Sequence, residues 1–273
     1  MKKKWLAAIA TLALGALVLT GCGKQKETTL TVGASSTPHA EILKHVQPQL
    51  KKEGVNLKIK TFQDYVLPNK ELASGDLDAN YFQHKPFLDN WNKKNHGTLV
   101  SAGNVHLEPI GFYSKKYKKL SDLPNGATIL VSNNVADYGR VLQILKDAGL
   151  ITLKPGTKIE FANFNDIQTN KKNLKFKTDL EPKLMTQFYK RGEGDAVVIN
   201  ANYAVQAGLN PKKDSIALEK NSSPYANLIA VQKKNKNNPA IKKLVKALQS
   251  KSTQQWINKH YNGGVVAVYP NGK

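Results

Sequence analysis

Residues 29–62, TLTVGASSTPHAEILKHVQPQLKKEGVNLKIKTF, hold the pattern that decides the fold. Thr29 to Ala34 alternates into a glycine, and Ser35 to Pro38 then offers cap residues and a proline for a helix running through AEILKHVQPQLKKEG. Val55 to Phe62 alternates strictly and reads as a second strand. A strand, a turn, a helix and a strand in that order imply helices packed on a mostly parallel sheet, covered on both faces.

Outward from this unit the alternation continues. PNKELASG (68–75) reads as a short helix, LDANYF (77–82) as a strand, HKPFLDNWNKKN (84–95) as a helix, and TLVSAGNVH (98–106) and EPIGFYS (108–114) as further strands. The pattern restarts with ATILVSN (127–133) and the helix DYGRVLQILKDAGL (137–150). KIEFAN, NLKFKTD, the helix EPKLMTQFYKRG, the strand DAVVIN (195–200) and the helix ANYAVQAGL (201–209) complete a second α/β unit. SPYANLIAVQKK (223–234) is a strand, and residues 238–264 read as one long amphipathic helix with Ile241, Leu244, Val245 and Leu248 at helical spacing. The expected division is lobe 1 at 29–113 plus 226–273, and lobe 2 at 114–225. Two α/β lobes suggest a hinged solute trap, with the ligand at the carboxyl ends of strands.

The first residues, MKKKW, are basic, and Leu6 to Thr20 run apolar or small up to Gly21 and Cys22. This is the layout of a secretory leader over residues 1–21, shorter than the roughly 20 apolar residues a spanning helix needs. Leu19-Thr20-Gly21-Cys22 resembles a bacterial lipobox, which makes Cys22, the single cysteine of the chain, the lipidated residue. Two acyl chains give stable anchoring where one is marginal. Residues 22–28 form the tether, and the body is expected on the extracytoplasmic face of the cell membrane. Without a second cysteine no internal disulfide can form, so the exported body must be held by its core.

The formal net charge is +21 over 273 residues. The lysines are scattered through KKEG, SKKYKK, NKKNLKFK, NPKKD and QKKNK, which read as solvated faces and turns. An anionic membrane surface or cell wall suits them, and no nucleic-acid partner is expected after export.

VGASSTPHAEIL (32–43), DYVLPNKELASGDLDANYFQHKPFL (64–88), GFYSKKYKKLSDLPNGATI (111–129), YGR (138–140), NPKKD (210–214) and SPYANLIAV (223–231) together resemble the methionine-binding lipoproteins of ABC importers, the NlpA lipoprotein family. The resemblance covers nearly the whole mature chain, and its most specific part is DYVLPN with DANYFQHKP. It implies a two-lobed α/β fold of the type II periplasmic-binding-protein kind, L-methionine or a close relative in the cleft, and an ABC permease and ATPase as partners. One departure is plain: the family carries a proline-asparagine-aspartate stretch before the arginine, where this chain reads SNNVADYGR (132–140), with Asn133 and Asn134 in that place.

A zwitterionic amino acid needs a cation for its carboxylate, oxygen acceptors for its ammonium and a matched wall for its side chain. Arg140, just past the ATILVSN strand, has the planar fork for a bidentate carboxylate, and the resemblance makes it the clamp. Asn200 and Asn202 lie at and after the end of DAVVIN, where an amide offers donor and acceptor; an N-cap role would equally favour asparagine at 202. Asn227 is carried over by resemblance as a ligand contact. Tyr65, Phe82 and His84 are expected to form a wall for a thioether, which gains roughly 0.3 to 1.5 kcal/mol per sulfur–aromatic contact. Tyr81 points to the opposite side from Phe82 in a strand and ranks below it.

His106 and Glu108 could form a metal or acid/base pair, which leaves a metal-ion receptor and a lipid-anchored hydrolase as rivals, alongside a receptor for a methionine-containing dipeptide or another small amino acid. His39, His45, His84, His96, His106 and His260 show no HExxH spacing, and GxSxG, the phosphate-binding loop and paired cysteines are absent. The expectation is therefore a binding protein without catalysis, cofactor or metal.

Overall fold

The computed structural model describes residues 27–220 and 223–269. The leader and Cys22 lie outside them. Thirteen strands and nine α-helices are present among the described residues. The first half contributes β1 (Thr28–Ser35), α1 (Glu41–Lys52), β2 (Val55–Phe62), α2 (Leu67–Ser74), β3 (Ala79–His84), α3 (Lys85–Asn95), β4 (Leu99–Leu107) and β5 (Gly111–Tyr113). β6 (Thr128–Ser132), α4 (Tyr138–Asp147), β7 (Ile151–Leu153), β8 (Ile167–Asn170), β9 (Lys175–Leu180), α5 (Met185–Arg191), β10 (Ala196–Ile199), α6 (Ala201–Gln206), α7 (Pro211–Asp214) and β11 (Ala217–Leu218) follow. The chain ends with β12 (Ala226–Gln232), α8 (Pro239–Leu248), α9 (Lys251–Tyr261) and β13 (Val266–Ala267).

Two sheets organise these elements into two lobes. The first has the order β13-β4-β12-β3-β1-β2 and the second β11-β5-β10-β6-β9. Each sheet buries both faces, because alternate residues of its strands point to opposite sides. In the first lobe Leu30, Val32 and Tyr81 pack against Ile42, Leu43, Val46 and Leu50 of α1 and Ile241, Leu244 and Leu248 of α8. Phe62, Leu72, Leu88 and Leu228 fill the other face. In the second lobe Ile129 and Val131 join Leu142 and Leu145 of α4, while Leu130, Val197 and Ile199 join Met185 and Tyr203 on the far side.

Three sequence expectations are corrected. The sheets are mixed rather than mostly parallel: β1 pairs in parallel with β2 and β3, but β12 runs antiparallel to both β3 and β4. The reason is that β12 enters the first lobe as a return strand from the second, not through a right-handed crossover. Gly111–Tyr113 belongs to the second sheet, paired antiparallel with Val197–Ile199, so the strands change lobe between Leu107 and Gly111, ahead of the expected 113. The C-terminal segment is two helices, because Ser250 leaves the helical conformation and its hydroxyl caps α9 by accepting from the Thr253 backbone N–H at 3.3 Å.

KIEFAN contains a 3-10 turn, Ile159–Phe161, set against the start of α4. A Cβ on Gly139 would lie 2.0 Å from the Ile159 carbonyl oxygen, so only glycine lets the two backbones meet there. That close packing sets where the next residue, Arg140, begins.

Candidate functional site

The chain crosses between the sheets at residues 108–110 and again between β11 and β12, and a pocket opens beside these crossovers. Its first-lobe wall is aromatic. Tyr65 follows β2, Phe82 and His84 end β3, and Phe87 lies in the first turn of α3; the rings of Tyr65, Phe82 and Phe87 sit 5.6 to 6.0 Å apart, centre to centre. Phe82 and His84 face the pocket because they are two apart in a strand. His84 also starts α3: its Nδ1 accepts from the Phe87 N–H at 3.2 Å, which leaves the proton on Nε2.

The second-lobe wall is polar and converges on Asp137. This carboxylate, 1 % exposed, accepts from His84 Nε2 at 3.1 Å, Asn134 Nδ2 at 2.7 Å and Asn200 Nδ2 at 2.8 Å, with Arg140 Nη1 at 3.4 Å. Burial works to raise its pKa, but the bonds from His84 and Asn200 and the Arg140 charge outweigh it and hold Asp137 below the ordinary carboxylate range.

Arg140 is buried and already engaged. Its Nε donates to Glu219 Oε2 at 2.9 Å, Nη2 donates both to that same oxygen and to the Glu108 carbonyl, the latter at 2.6 Å, and the Tyr225 ring lies 4.6 Å from the guanidinium carbon. The free fork expected from the sequence is therefore occupied along one edge by Glu219, and Nη1 is the edge turned to Asp137. Burial alone would lower the arginine pKa, but Glu219 and Asp137 raise it above its ordinary value.

Asn202 accepts from the Tyr65 hydroxyl at 2.7 Å through Oδ1. It is not the helix cap: Asn200 holds that position, without a capping bond from its side chain. Asn227 Oδ1 lies 3.0 Å from His39 Nε2. Thus Tyr65, Phe82, His84, Arg140, Asn200, Asn202 and Asn227 meet in one pocket.

Tyr81 and His106 do not line it. Both are fully buried behind it, the Tyr81 hydroxyl bonded to His106 Nδ1, and His106 Nε2 2.7 Å from Glu108 Oε1. Glu108, Phe87, Gln83, Ala201 and Asn134 complete the lining, and Asp137 and Glu219 stand directly behind it. Of these, Phe87 had a signal in the sequence, the HKPF run that starts α3. Asp137 and Glu219 had none.

Among the described residues no helix is long and apolar enough to cross a membrane. The sequence model of the NlpA lipoprotein matches residues 30–269. The methionine-binding lipoprotein MetQ of Bacillus subtilis (strain 168) is 48% identical, covering 98% of this chain and 99% of its own length. Among solved structures, a pheromone cOB1 precursor/lipoprotein of the YaeC family from Enterococcus faecalis V583 is 59% identical with a TM-score of 0.86, over 88% of this chain and 100% of that one. A nutrient binding protein from Burkholderia cenocepacia, bound to methionine, is 46% identical with a TM-score of 0.82, over 88% and 99%.

Proposed function

The chain belongs to the NlpA lipoprotein family, and from that membership and the cleft we propose that it captures methionine outside the cell and delivers it to an ABC importer. The observation that carries this reading is the pairing of an aromatic wall, Tyr65, Phe82 and Phe87, with a polar wall of Asn134, Arg140, Asn200 and Asn202 in one pocket. A pocket mostly apolar on one side, with a few convergent polar groups on the other, suits a small ligand.

In this reading the thioether lies along the rings. The ligand carboxylate takes the Nη1 edge of Arg140, and Asn200 and Asn227 supply amide contacts to the charged end. The lobes stay closed around the bound solute, and the closed form docks on the permease, whose ATPase drives release. Nothing in this cycle requires catalysis. Acylated Cys22 and the short polar tether, which reaches about 20 Å when extended, keep the body at the membrane.

Calorimetric titration of the purified protein with L-methionine, with mass spectrometry of whatever ligand denaturation releases, tests the proposal. One methionine per chain is expected. Neither heat nor a released amino acid would overturn it.

A further inference from the structure

Glu108 is a buried carboxylate, 7 % exposed, on the crossover from β4 to β5. On the first-lobe side its Oε1 lies 2.7 Å from His106 Nε2 and 3.1 Å from His39 Nε2. On the second-lobe side its Oε2 accepts the Asn202 backbone N–H at 3.1 Å, and its own carbonyl accepts from Arg140 Nη2 at 2.6 Å. One residue thus ties both lobes together, and three of the groups it reaches or orders, Asn202, Arg140 and, through His39, Asn227, line the pocket.

The protonation pattern follows from the partners. Burial raises the Tyr81 phenol well above its ordinary pKa, so it keeps its proton and donates to His106 Nδ1. The His106 proton then resides on Nε2 and points at Glu108. Burial lowers both imidazoles, His39 to about 4 and His106 to about 3. Both are neutral near pH 7: His106 directs its Nε2–H at Glu108 Oε1, while the single Nε2–H of His39 goes to Asn227 Oδ1 at 3.0 Å, with Glu108 Oε1 beside it at 3.1 Å. Among the described residues His39 Nδ1 has no hydrogen-bond partner, which leaves its Nε2 as the nitrogen that works.

We propose that Glu108 is an interlobe latch: by accepting from His106 on one side and from the Asn202 N–H and, through its own carbonyl, Arg140 on the other, it holds the two walls of the pocket in register and sets how fast the closed protein releases its ligand. It is a positioning residue. The inference rests on the solute-capture reading for its kinetic consequence, but the latch itself is a set of contacts within the chain. The side chains of His39, His106 and Glu108 offer ligand atoms within 4.8 Å of one another, a set that also suits a divalent cation. The 2.7 Å contact from His106 Nε2 is an N–H···O length, and it favours the latch.

Stopped-flow binding of L-methionine to wild type, Glu108→Gln, His106→Ala and His106→Gln is the test. An amide at 108 must oppose either the His106 Nε2–H or the Asn202 N–H with its own NH2. The expected result is a dissociation rate raised about ten-fold or more in Glu108→Gln and His106→Ala, with association changed less than about three-fold. His106→Gln, which keeps a donor near the Nε2 position, should restore most of the loss. Unchanged dissociation in both variants, or a loss confined to association, overturns the latch. If the variants fail to fold, nitrogen NMR of the wild-type imidazoles decides instead: a neutral Nε2–H tautomer at His106 supports it, and an Nδ1–H tautomer there or stoichiometric zinc at the site overturns it. A wild type that binds no methionine would sink the functional proposal alone, since the tautomer and the ligand-free radius of gyration, larger in Glu108→Gln, still judge the latch.

Discussion

His84 Nε2 donates to Asp137 Oδ1 at 3.1 Å across the cleft, joining the end of β3 in the first lobe to the segment that precedes α4 in the second. Around that bond Asp137 also gathers Asn134, Asn200 and Arg140.

Asp137→Asn tests this centre. The amide keeps the shape but places an NH2 against donors, and it removes a counter-charge from buried Arg140; a stability loss of about 3 to 5 kcal/mol is expected. The pH sign is fixed by the depressed pKa of Asp137. Its contribution is fully present above the unfolded carboxylate value, near 4, and is lost as pH falls below it toward the folded value. Thermal melts of wild type should therefore drop more steeply than those of Asp137→Asn below about pH 4. Parallel acid limbs would contradict the role.

Arg140 carries a structural and a ligand role, and a double variant separates them. Arg140→Ala leaves Asp137 and Glu219 buried without their cation, so the ligand-free protein should lose about 3 to 5 kcal/mol. Adding Glu219→Gln should recover part of that stability without restoring methionine affinity, which is expected to fall by about 2 to 5 kcal/mol. Calorimetry and melts on wild type and the two variants read both. Recovery of affinity in the double variant would remove Arg140 from ligand contact.

Gly139→Ala should be costly for a residue that touches no ligand. Its Cβ would fall 2.0 Å from the Ile159 carbonyl oxygen, a backbone atom that cannot rotate away. The turn at Ile159–Phe161 must shift, at about 1 to 3 kcal/mol or more, and Arg140 shifts with it. A denaturant titration matching wild type would show that the turn yields freely.

The ring wall should rank ligands by the raise they give in melting temperature. L-methionine is expected above norleucine, which forfeits only the sulfur–aromatic contacts, and both far above glycine or methionine sulfoxide, whose oxygen would cost roughly 1 to 3 kcal/mol unpaired against the rings. D-methionine and glycyl-methionine belong in the panel, because the segment before the Arg140 helix reads SNNVADYGR and its Asn134 lines the pocket. Asn134 is bonded to Asp137 and lines the pocket, so the dipeptide should rank below methionine. A dipeptide that ranks first would keep the family and change the ligand.

Cys22→Ser should abolish incorporation of a fatty-acid tracer and release the body from the membrane fraction. Methionine affinity should stay within about two-fold, since the lipid and the pocket are joined only by the tether. Continued labelling of the variant would contradict the lipobox.

Much of this was legible in the chain itself. Alternation at period 2 and helical spacing revealed two α/β units because burial of both sheet faces imposes those periods on any sequence that folds this way. Tyr65, Phe82, His84, Arg140, Asn200, Asn202 and Asn227, which the structure brings into one pocket, could be singled out because they stand at or just after strand ends or carry the resemblance, and strand ends are where such folds place a ligand. What only the tertiary structure decided is the partnership of each group. Arg140 is engaged by Glu219, 79 residues away in sequence, and Glu108 bonds Asn202 across 94 residues. No local pattern encodes such a pair, because a carboxylate on an irregular crossover has no periodicity to betray which face it serves. The direction of β12 and the break at Ser250 were hidden likewise: apolar spacing reports which side of an element is buried, whereas strand direction and helix ends depend on where the rest of the chain has already been placed.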